Sequence, residues 1–286
     1  MNTLAIDIGG TKFSMAVFDS NKHMLRRDSR PTDRAGGPDW MLVQVIEIAR
    51  AWQRDLKLAS CGAGFGGPVD FASQHVFKST HVGGWSDFPL RDVLVRALEI
   101  PAIIDNDANA GALGEAVYGA GRGFPSIFYM TLSTGIGGGI YINGKIWRGA
   151  DSYAGELGHI TIRPDGPECL CGVRGCFERM CSGLWLEKDH GKPVKELLQD
   201  PAFVRRYVVD LAMGLKACIM IVNPARIVIG GGIAKAGEAL FGPLRAELRR
   251  QITDWSAARI DVVPAELADD SVLYGALALT GELKTE

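Results

Sequence analysis

Apolar positions along this chain fall into short runs that stop at glycine, aspartate or proline. Residues 4–8 form the first run, which ends at Gly9-Gly10. Residues 13–18 form the second, with bulky and small side chains alternating. Two such runs about a glycine pair predict a hairpin. Residues 39–54 carry apolar side chains at helical spacing behind Pro38 and Asp39, which predicts a helix. Residues 59–65 predict a strand, residues 89–98 a short amphipathic helix, and residues 101–104 a buried strand running into Asp105-Asn106-Asp107.

The theme then recurs. Residues 126–132 predict a strand, residues 133–139 a glycine-rich loop and residues 140–142 a returning strand, followed by the tight-turn pair Asn143-Gly144. Farther on, residues 204–222 hold the longest helical pattern, residues 226–229 a strand closed by Gly230-Gly231-Gly232, and residues 271–283 a final helix. Strand, glycine loop and strand thus occur once in each half. The interval is far too long for a stacked repeat, so the pattern predicts two related α/β lobes with a cleft between them. The expected division is residues 1–106, residues 107–270, and a last helix in residues 271–286.

Composition narrows the function. The chain has 286 residues, 47% hydrophobic and 22% charged, with a formal net charge of −2. No global field draws it to nucleic acid or anionic lipid. No stretch approaches the roughly 20 apolar residues of a membrane span. Met1-Asn2-Thr3 offers neither a basic start nor a cleavage site, so the expected location is the cytoplasm.

Asp7-Ile8-Gly9-Gly10-Thr11-Lys12 contains the parts of a phosphate site. Glycines admit an anion close to backbone N–H groups, Thr11 adds a hydroxyl and Lys12 a positive charge. Asp7 ends the strand, where it could hold Mg²⁺ through water. A plain glycine hairpin fits this stretch alone about as well. A second such loop at Ser133-Thr134-Gly135-Ile136-Gly137-Gly138-Gly139 makes coincidence less credible and suggests a polyphosphate gripped from both sides. Gly230-Gly231-Gly232 would let a flat adenine approach the backbone, although an ordinary turn explains it nearly as well. Gly62-Ala63-Gly64-Phe65-Gly66-Gly67 matches the dinucleotide pattern, but Pro68-Val69-Asp70 follows it and no helix begins there. That fingerprint requires the helix, so the match is a decoy. Asp107 has two readings: a proton acceptor for a substrate hydroxyl, or a helix cap. Taken locally, the cap is the stronger one.

Six cysteines are present, and four crowd together at Cys169, Cys171, Cys176 and Cys181. With His159, the first three complete a tetrahedral zinc set with no open position, so the metal would be structural. A nucleic-acid zinc ribbon is disfavoured, because the neighbourhood lacks a dense basic and aromatic face. Cys181 has no place in the sphere and should pack as a small hydrophobe. Glu156 and Glu178 bracket the cluster, either holding sugar hydroxyls or lying on the surface.

Taken together, residues 7–12, 68–70, 105–109, 133–139, 155–159 and 169–178 resemble the ROK family of bacterial sugar kinases and sugar-sensing repressors. They occur in family order and span most of the chain. The resemblance implies an actin-like (ribonuclease H-like) ATPase fold, two α/β lobes with a central cleft, and a final helix that returns to the first lobe. It implies ATP-dependent transfer of phosphate to a sugar, with Asp107 as general base. Asn106, Asp107, Glu156, His159 and Glu178 would meet the sugar, with Gly66 and Gly67 lining the pocket. Asp7, Gly9, Gly10, Thr11, Lys12, Thr134, Gly135 and Gly231 would meet the nucleotide. His159, Cys169, Cys171 and Cys176 would hold zinc, and the second ring nitrogen of His159 would face the sugar. The expected ligands are sugar, ATP and Mg²⁺; the expected protein partner, if the chain self-associates, is a second copy. Family repressors carry a helix-turn-helix ahead of the first phosphate loop, for which no room is expected here. Glucose is the expected acceptor, with fructose, mannose, N-acetylmannosamine and N-acetylglucosamine as alternatives. The pocket near Gly66, Gly67 and residues 81–85 would decide among them. The short stretch 182–204, broken by Lys192-Pro193, departs from the family where adenine binding and subunit contacts are expected.

Overall fold

A computed structural model of the chain describes residues 1–79 and 82–283. His81 of the expected pocket segment, and residues 284–286 of the expected last helix, lie outside the described residues. The chain order is β1 (Asn2–Ile8), β2 (Lys12–Phe18), β3 (Met24–Pro31), α1 (Gly37–Gln53), β4 (Leu58–Phe65), β5 (Val69–Asp70), β6 (His75–Lys78), β7 (Ser86–Phe88), α2 (Leu90–Leu98), β8 (Ala102–Asn106) and α3 (Asp107–Tyr118). It continues through β9 (Ser126–Leu132), β10 (Ile136–Ile142), β11 (Lys145–Ile146), α4 (Phe177–Cys181), α5 (Gly183–His190), α6 (Val194–Leu197) and α7 (Pro201–Val222). It ends with β12 (Arg226–Gly230), α8 (Glu238–Ile252), β13 (Val262–Pro264) and α9 (Ser271–Leu279).

Two five-stranded sheets organise these elements, in the orders β3-β2-β1-β4-β8 and β11-β10-β9-β12-β13. Each has an antiparallel hairpin at its centre, β1–β2 in one and β9–β10 in the other, continued by a parallel strand, β4 or β12. The two halves therefore share one topology, as their recurring sequence theme predicts. A small antiparallel sheet, β5-β6-β7, adjoins the first.

Side chains on β1 alternate between two faces, and both are covered. Leu4, Ile6 and Ile8 pack with Met41, Val45 and Ile48 of α1 and with Leu90 and Leu94 of α2. Ala5, on the opposite face, packs with Leu273, Ala276 and Leu277 of α9. Small residues on that face let α9 lie close to the sheet. A Cβ at Gly62 would run into the backbone oxygen of Ala276. Leu273 and Leu277 are fully buried, which contributes roughly 1.5–3 kcal/mol each.

Helix α9 also packs along α3. On its other side α3 buries Ala108, Ala112 and Ala116 with Ile127 and Tyr129 of β9. The pair α3–α9 thus sits between the two sheets. Glu115, fully buried on α3, ties it to the approach of α9: its carboxylate accepts from Ala120 N, Glu266 N, Leu267 N and Ser271 Oγ at 2.7–3.2 Å. The last helix stops earlier than the apolar pattern predicts. It ends at Leu279 and tightens into a 3-10 turn, Thr280–Glu282. Among the described residues no helix is long and apolar enough to cross a membrane.

Candidate functional site

Strand ends from both sheets meet at one cleft. The turn between β1 and β2 carries Gly9, Gly10 and Thr11, and its carbonyls are held from behind. Thr32 N donates to Thr11 O at 3.0 Å, Thr32 Oγ1 to Gly9 O at 2.8 Å and Arg34 Nε to Gly10 O at 2.8 Å. The amides of Gly10 and Thr11 make no hydrogen bond among the described residues. A turn with its carbonyls engaged and its amides open is suited to an anion.

The second glycine loop is shorter than its sequence suggests. Only Ser133, Thr134 and Gly135 form the turn, and Gly137, Gly138 and Gly139 already belong to β10. Those glycines serve packing. A Cβ at Gly139 would meet the Ala108 carbonyl at the start of α3, and one at Gly138 would meet Phe128 and the Gly155 carbonyl. The turn is braced by the start of α5, with Gly183 N donating to Ser133 O at 2.7 Å and Leu184 N to Thr134 O at 3.2 Å.

The Gly62–Gly67 stretch ends β4 and leads into β5, with no helix after it. The dinucleotide match is therefore a decoy. Gly66 and Gly67 instead form the wall beside Asp107, since a side chain at Gly66 would lie 3.5 Å from Asp107 Oδ2.

Asp107 is not the cap of α3. Asn106 takes that place, its Oδ1 accepting from Ala108 N at 2.9 Å and Asn109 N at 3.2 Å, while its Nδ2 donates to Gly67 O at 3.0 Å. The Asn106 side chain also favours the ionised form of the Asp107 carboxyl through hydrogen bonding. Asp107 stands one residue inside the helix. Its Oδ1 accepts from Ala108 N at 2.8 Å, and its Oδ2 accepts no hydrogen bond among the described residues. Enclosure raises the Asp107 carboxyl from 3.8 to about 7, with the Ala108 amide opposing and the Glu156 charge adding to the rise. Asp7 is likewise raised to about 7, by enclosure first and by Asp107 second, against the pull of Lys12. Two carboxylates in one enclosed place resist joint ionisation, so the site favours a cation or a proton between them.

Across the cleft, Glu156 leads into a 3-10 turn, Leu157–His159. Backbone pairing of residues 160–163 with 174–177 carries the histidine to the cysteines: Phe177 N donates to Ile160 O at 2.9 Å and Ile162 N to Gly175 O at 2.9 Å. Ligand atoms of His159, Cys169, Cys171 and Cys176 all lie within 4.8 Å of one another. No disulfide links them. Three thiols and an imidazole gathered this closely fit a structural zinc. Cys181 is fully buried outside the set. Cys176 caps α4, whose second residue is Glu178. Glu178 Oε2 accepts from Ile136 N at 2.8 Å, which fixes one oxygen of this carboxylate.

A cavity of about 690 Å³ joins these parts. Its walls include every residue expected at the sugar and nucleotide sites, together with two of the four expected metal ligands, His159 and Cys171. A second cavity of about 1150 Å³ adjoins it and shares Thr11, Arg34, Ser133, Thr134, Gly232 and Lys235. Its apolar wall comes from α5, α6, the turn after α6 and α7, through Leu184, Val194, Leu198 and Val204. The short 182–204 stretch thus builds a wall despite Lys192-Pro193, which sits between α5 and α6.

Sequence reasoning missed several cleft residues, among them Arg34, Tyr153, Lys235 and Asp269. Lys235 follows the Gly230–Gly232 turn by three positions, which was a usable signal. Asp269 is paired with Lys235 at 2.8 Å and is brought in only by the approach of α9. Nothing local marks Arg34 or Tyr153.

Comparison with known proteins gives a consistent result. Residues 3–282 match the ROK family. The chain is 32% identical to a glucokinase of Thermotoga maritima over 310 residues, covering 99% of this chain and 98% of that one. A ROK hexokinase from Thermus thermophilus is 34% identical, with a TM-score of 0.84 and 99% of each chain covered. A ROK family glucokinase from Streptomyces griseus, solved with glucose and AMPPNP, is 27% identical, with a TM-score of 0.86 and coverage of 96% and 98%.

Proposed function

Because this chain belongs to the ROK family, has its actin-like ATPase fold and is an ATP-dependent sugar kinase, we propose that it transfers the γ-phosphate of ATP to O6 of glucose, with Asp107 as the base. The observation that carries the assignment of the base is the position of Asp107 Oδ2. It accepts no hydrogen bond within the geometric limits among the described residues and lies beside Gly66, and Asp107 lines the same cavity as the first phosphate loop and as Glu156 and Glu178. Similarity to glucokinases supports glucose as the acceptor.

The roles follow from what each group offers. Asn106, Glu156, His159 and Glu178 present a donor and acceptors to the ring hydroxyls. Glucose seated there would place a hydroxyl against Asp107. The open amides of Gly10 and Thr11, with Lys12, meet the phosphates from the first lobe; Thr134 and Gly135 meet them from the second. Asp7 would hold the nucleotide's Mg²⁺ through water, and the ion would neutralise phosphate charge. Adenosine extends along Gly231 into the larger cavity, whose apolar wall suits a flat base. Phosphoryl transfer is chiefly positioning and charge neutralisation, so this chain's task is to align the hydroxyl, take its proton and exclude water. His159, Cys169, Cys171 and Cys176 would hold zinc, which supplies a crosslink and no open coordination position. The cytoplasm is the compartment where ATP and reduced thiols coexist.

A coupled ADP-release assay across glucose, fructose, mannose, N-acetylmannosamine and N-acetylglucosamine tests the acceptor. Glucose should give the highest kcat/KM. A higher value for an acetamido sugar would move the assignment to that sugar, and no turnover with any would favour a sensor. Asp107→Asn should still bind sugar but lose roughly 10²–10⁴-fold in kcat; wild-type turnover in this variant would refute the base assignment.

A further inference from the structure

Charge around the cleft is unevenly matched. Six residues belong to both cavities, and two of them are cations, Arg34 and Lys235. They mark the passage between the phosphate loops and the apolar wall. Lys235 is already neutralised by Asp269 at 2.8 Å. Arg34 forms no ion pair among the described residues.

The Arg34 side chain is nevertheless held in place. Its Nε donates to Gly10 O at 2.8 Å, in the turn whose amides are open. Its segment is fastened to the same turn by Thr32, through Thr11 O and Gly9 O. A guanidinium has five N–H donors in a planar fork. One is spent on Gly10, and the rest remain for a ligand in the passage. Planar paired donors suit phosphate oxygens, and a charged donor makes a stronger bond than a neutral one.

We propose that Arg34 is a nucleotide-binding residue that donates to the phosphate chain from the first lobe, where the chain passes from the phosphate loops toward the adenosine cavity. The inference rests on the kinase reading above. Most of the larger cavity's wall belongs to the second half of the chain, from Ser133 to Pro243. Arg34 is therefore a cation of the first lobe reaching a ligand seated chiefly on the second. It would favour the closed arrangement of the lobes only when phosphates are present. Its exposed position also means that little of the fold depends on it.

The test is titration calorimetry of the full chain with ADP and with adenosine, alongside steady-state kinetics, for wild type, Arg34→Lys and Arg34→Met. In Arg34→Met, ADP affinity should fall about 10–100-fold, as expected for a lost charged hydrogen bond. The KM for ATP should rise in step, while adenosine affinity and the KM for sugar stay within about twofold. Arg34→Lys should fall between, since it keeps the charge and loses the fork. Equal losses for ADP and adenosine would overturn the proposal, as would no loss for either. Failure of the kinase reading looks different: wild type itself would bind no ADP and phosphorylate no sugar.

Discussion

At the scale of single residues, the decisive group is a carboxylate with one oxygen engaged and one open. Asp107 owes this to its neighbour. Asn106 takes the capping role, which frees Asp107 Oδ2 for the cleft. With Asp107 as the proposed base, the enclosure that lifts it to about 7 also sets a pH dependence. A base works only when deprotonated, so kcat/KM for sugar should fall about tenfold per unit as pH drops below about 7, and level off above it. A stopped assay from pH 5 to 9 would show this. The same shift has a stability consequence of definite sign. The folded protein holds the proton more tightly than the unfolded chain, whose Asp titrates near 3.8. The stabilising contribution is therefore full below about 3.8 and is lost as pH rises through about 7. Asp107→Asn should accordingly stabilise the ligand-free protein at pH 8 by on the order of 2 kcal/mol, with the gain vanishing near pH 4. Urea denaturation at both pH values would check it.

At the scale of elements, the cluster of His159, Cys169, Cys171 and Cys176 shows how ligand spacing becomes geometry. Residues 160–163 pair with 174–177, which puts His159 beside Cys176, and the helix that Cys176 caps immediately carries Glu178. A metal held by Cys176 and a sugar held by Glu178, as proposed, would be separated by less than one helical turn. Cys171→Ser should lower bound zinc in elemental analysis and raise the KM for sugar roughly tenfold or more, while the secondary structure persists. A protein purified without zinc yet fully active would remove the structural-metal argument. These elements were largely legible, because β1, β2, β9 and the hairpin at Asn143-Gly144 announce themselves by alternation and turn residues. Helix α8 was missed: Gly242 and Pro243 interrupt its apolar spacing, and only packing of Leu240, Phe241, Leu244 and Leu248 in the core keeps it helical. Gly137, Gly138 and Gly139 were misplaced in a loop because glycine that permits close packing reads the same as glycine that permits a turn.

At the scale of the molecule, a single arginine fastens four distant pieces together. Arg148 Nε donates to Asp105 Oδ2 at 2.8 Å, its Nη2 to Glu282 at 3.1 Å, and its guanidinium lies 3.4 Å over the Phe71 ring. The remaining Asp105 oxygen accepts from Asn106 N and Asn109 Nδ2, so the pair also steadies the turn that bears Asp107. Burial raises the Asp105 carboxyl, and the Arg148 charge opposes that rise. Removing one member of a buried pair strands the other. Arg148→Met should therefore cost about 3 kcal/mol in chemical denaturation, and adding Asp105→Asn should restore part of it. An additive loss in the double variant would mean that the two do not act as a pair.

The sequence by itself determined the repeated α/β plan, the glycine turn between β1 and β2 and the identity of the metal-type cluster. These are local matters, decided by periodicity, turn chemistry and ligand types close together in the chain. Tertiary structure alone decided that Asp107 stands beside Gly66, which glycines serve packing and which cation at the passage between the cavities forms no ion pair among the described residues. Each of these depends on groups far apart in sequence: Gly66 beside Asp107, Ala108 beneath Gly139, and Asp269 brought to Lys235 by the helix that closes the fold.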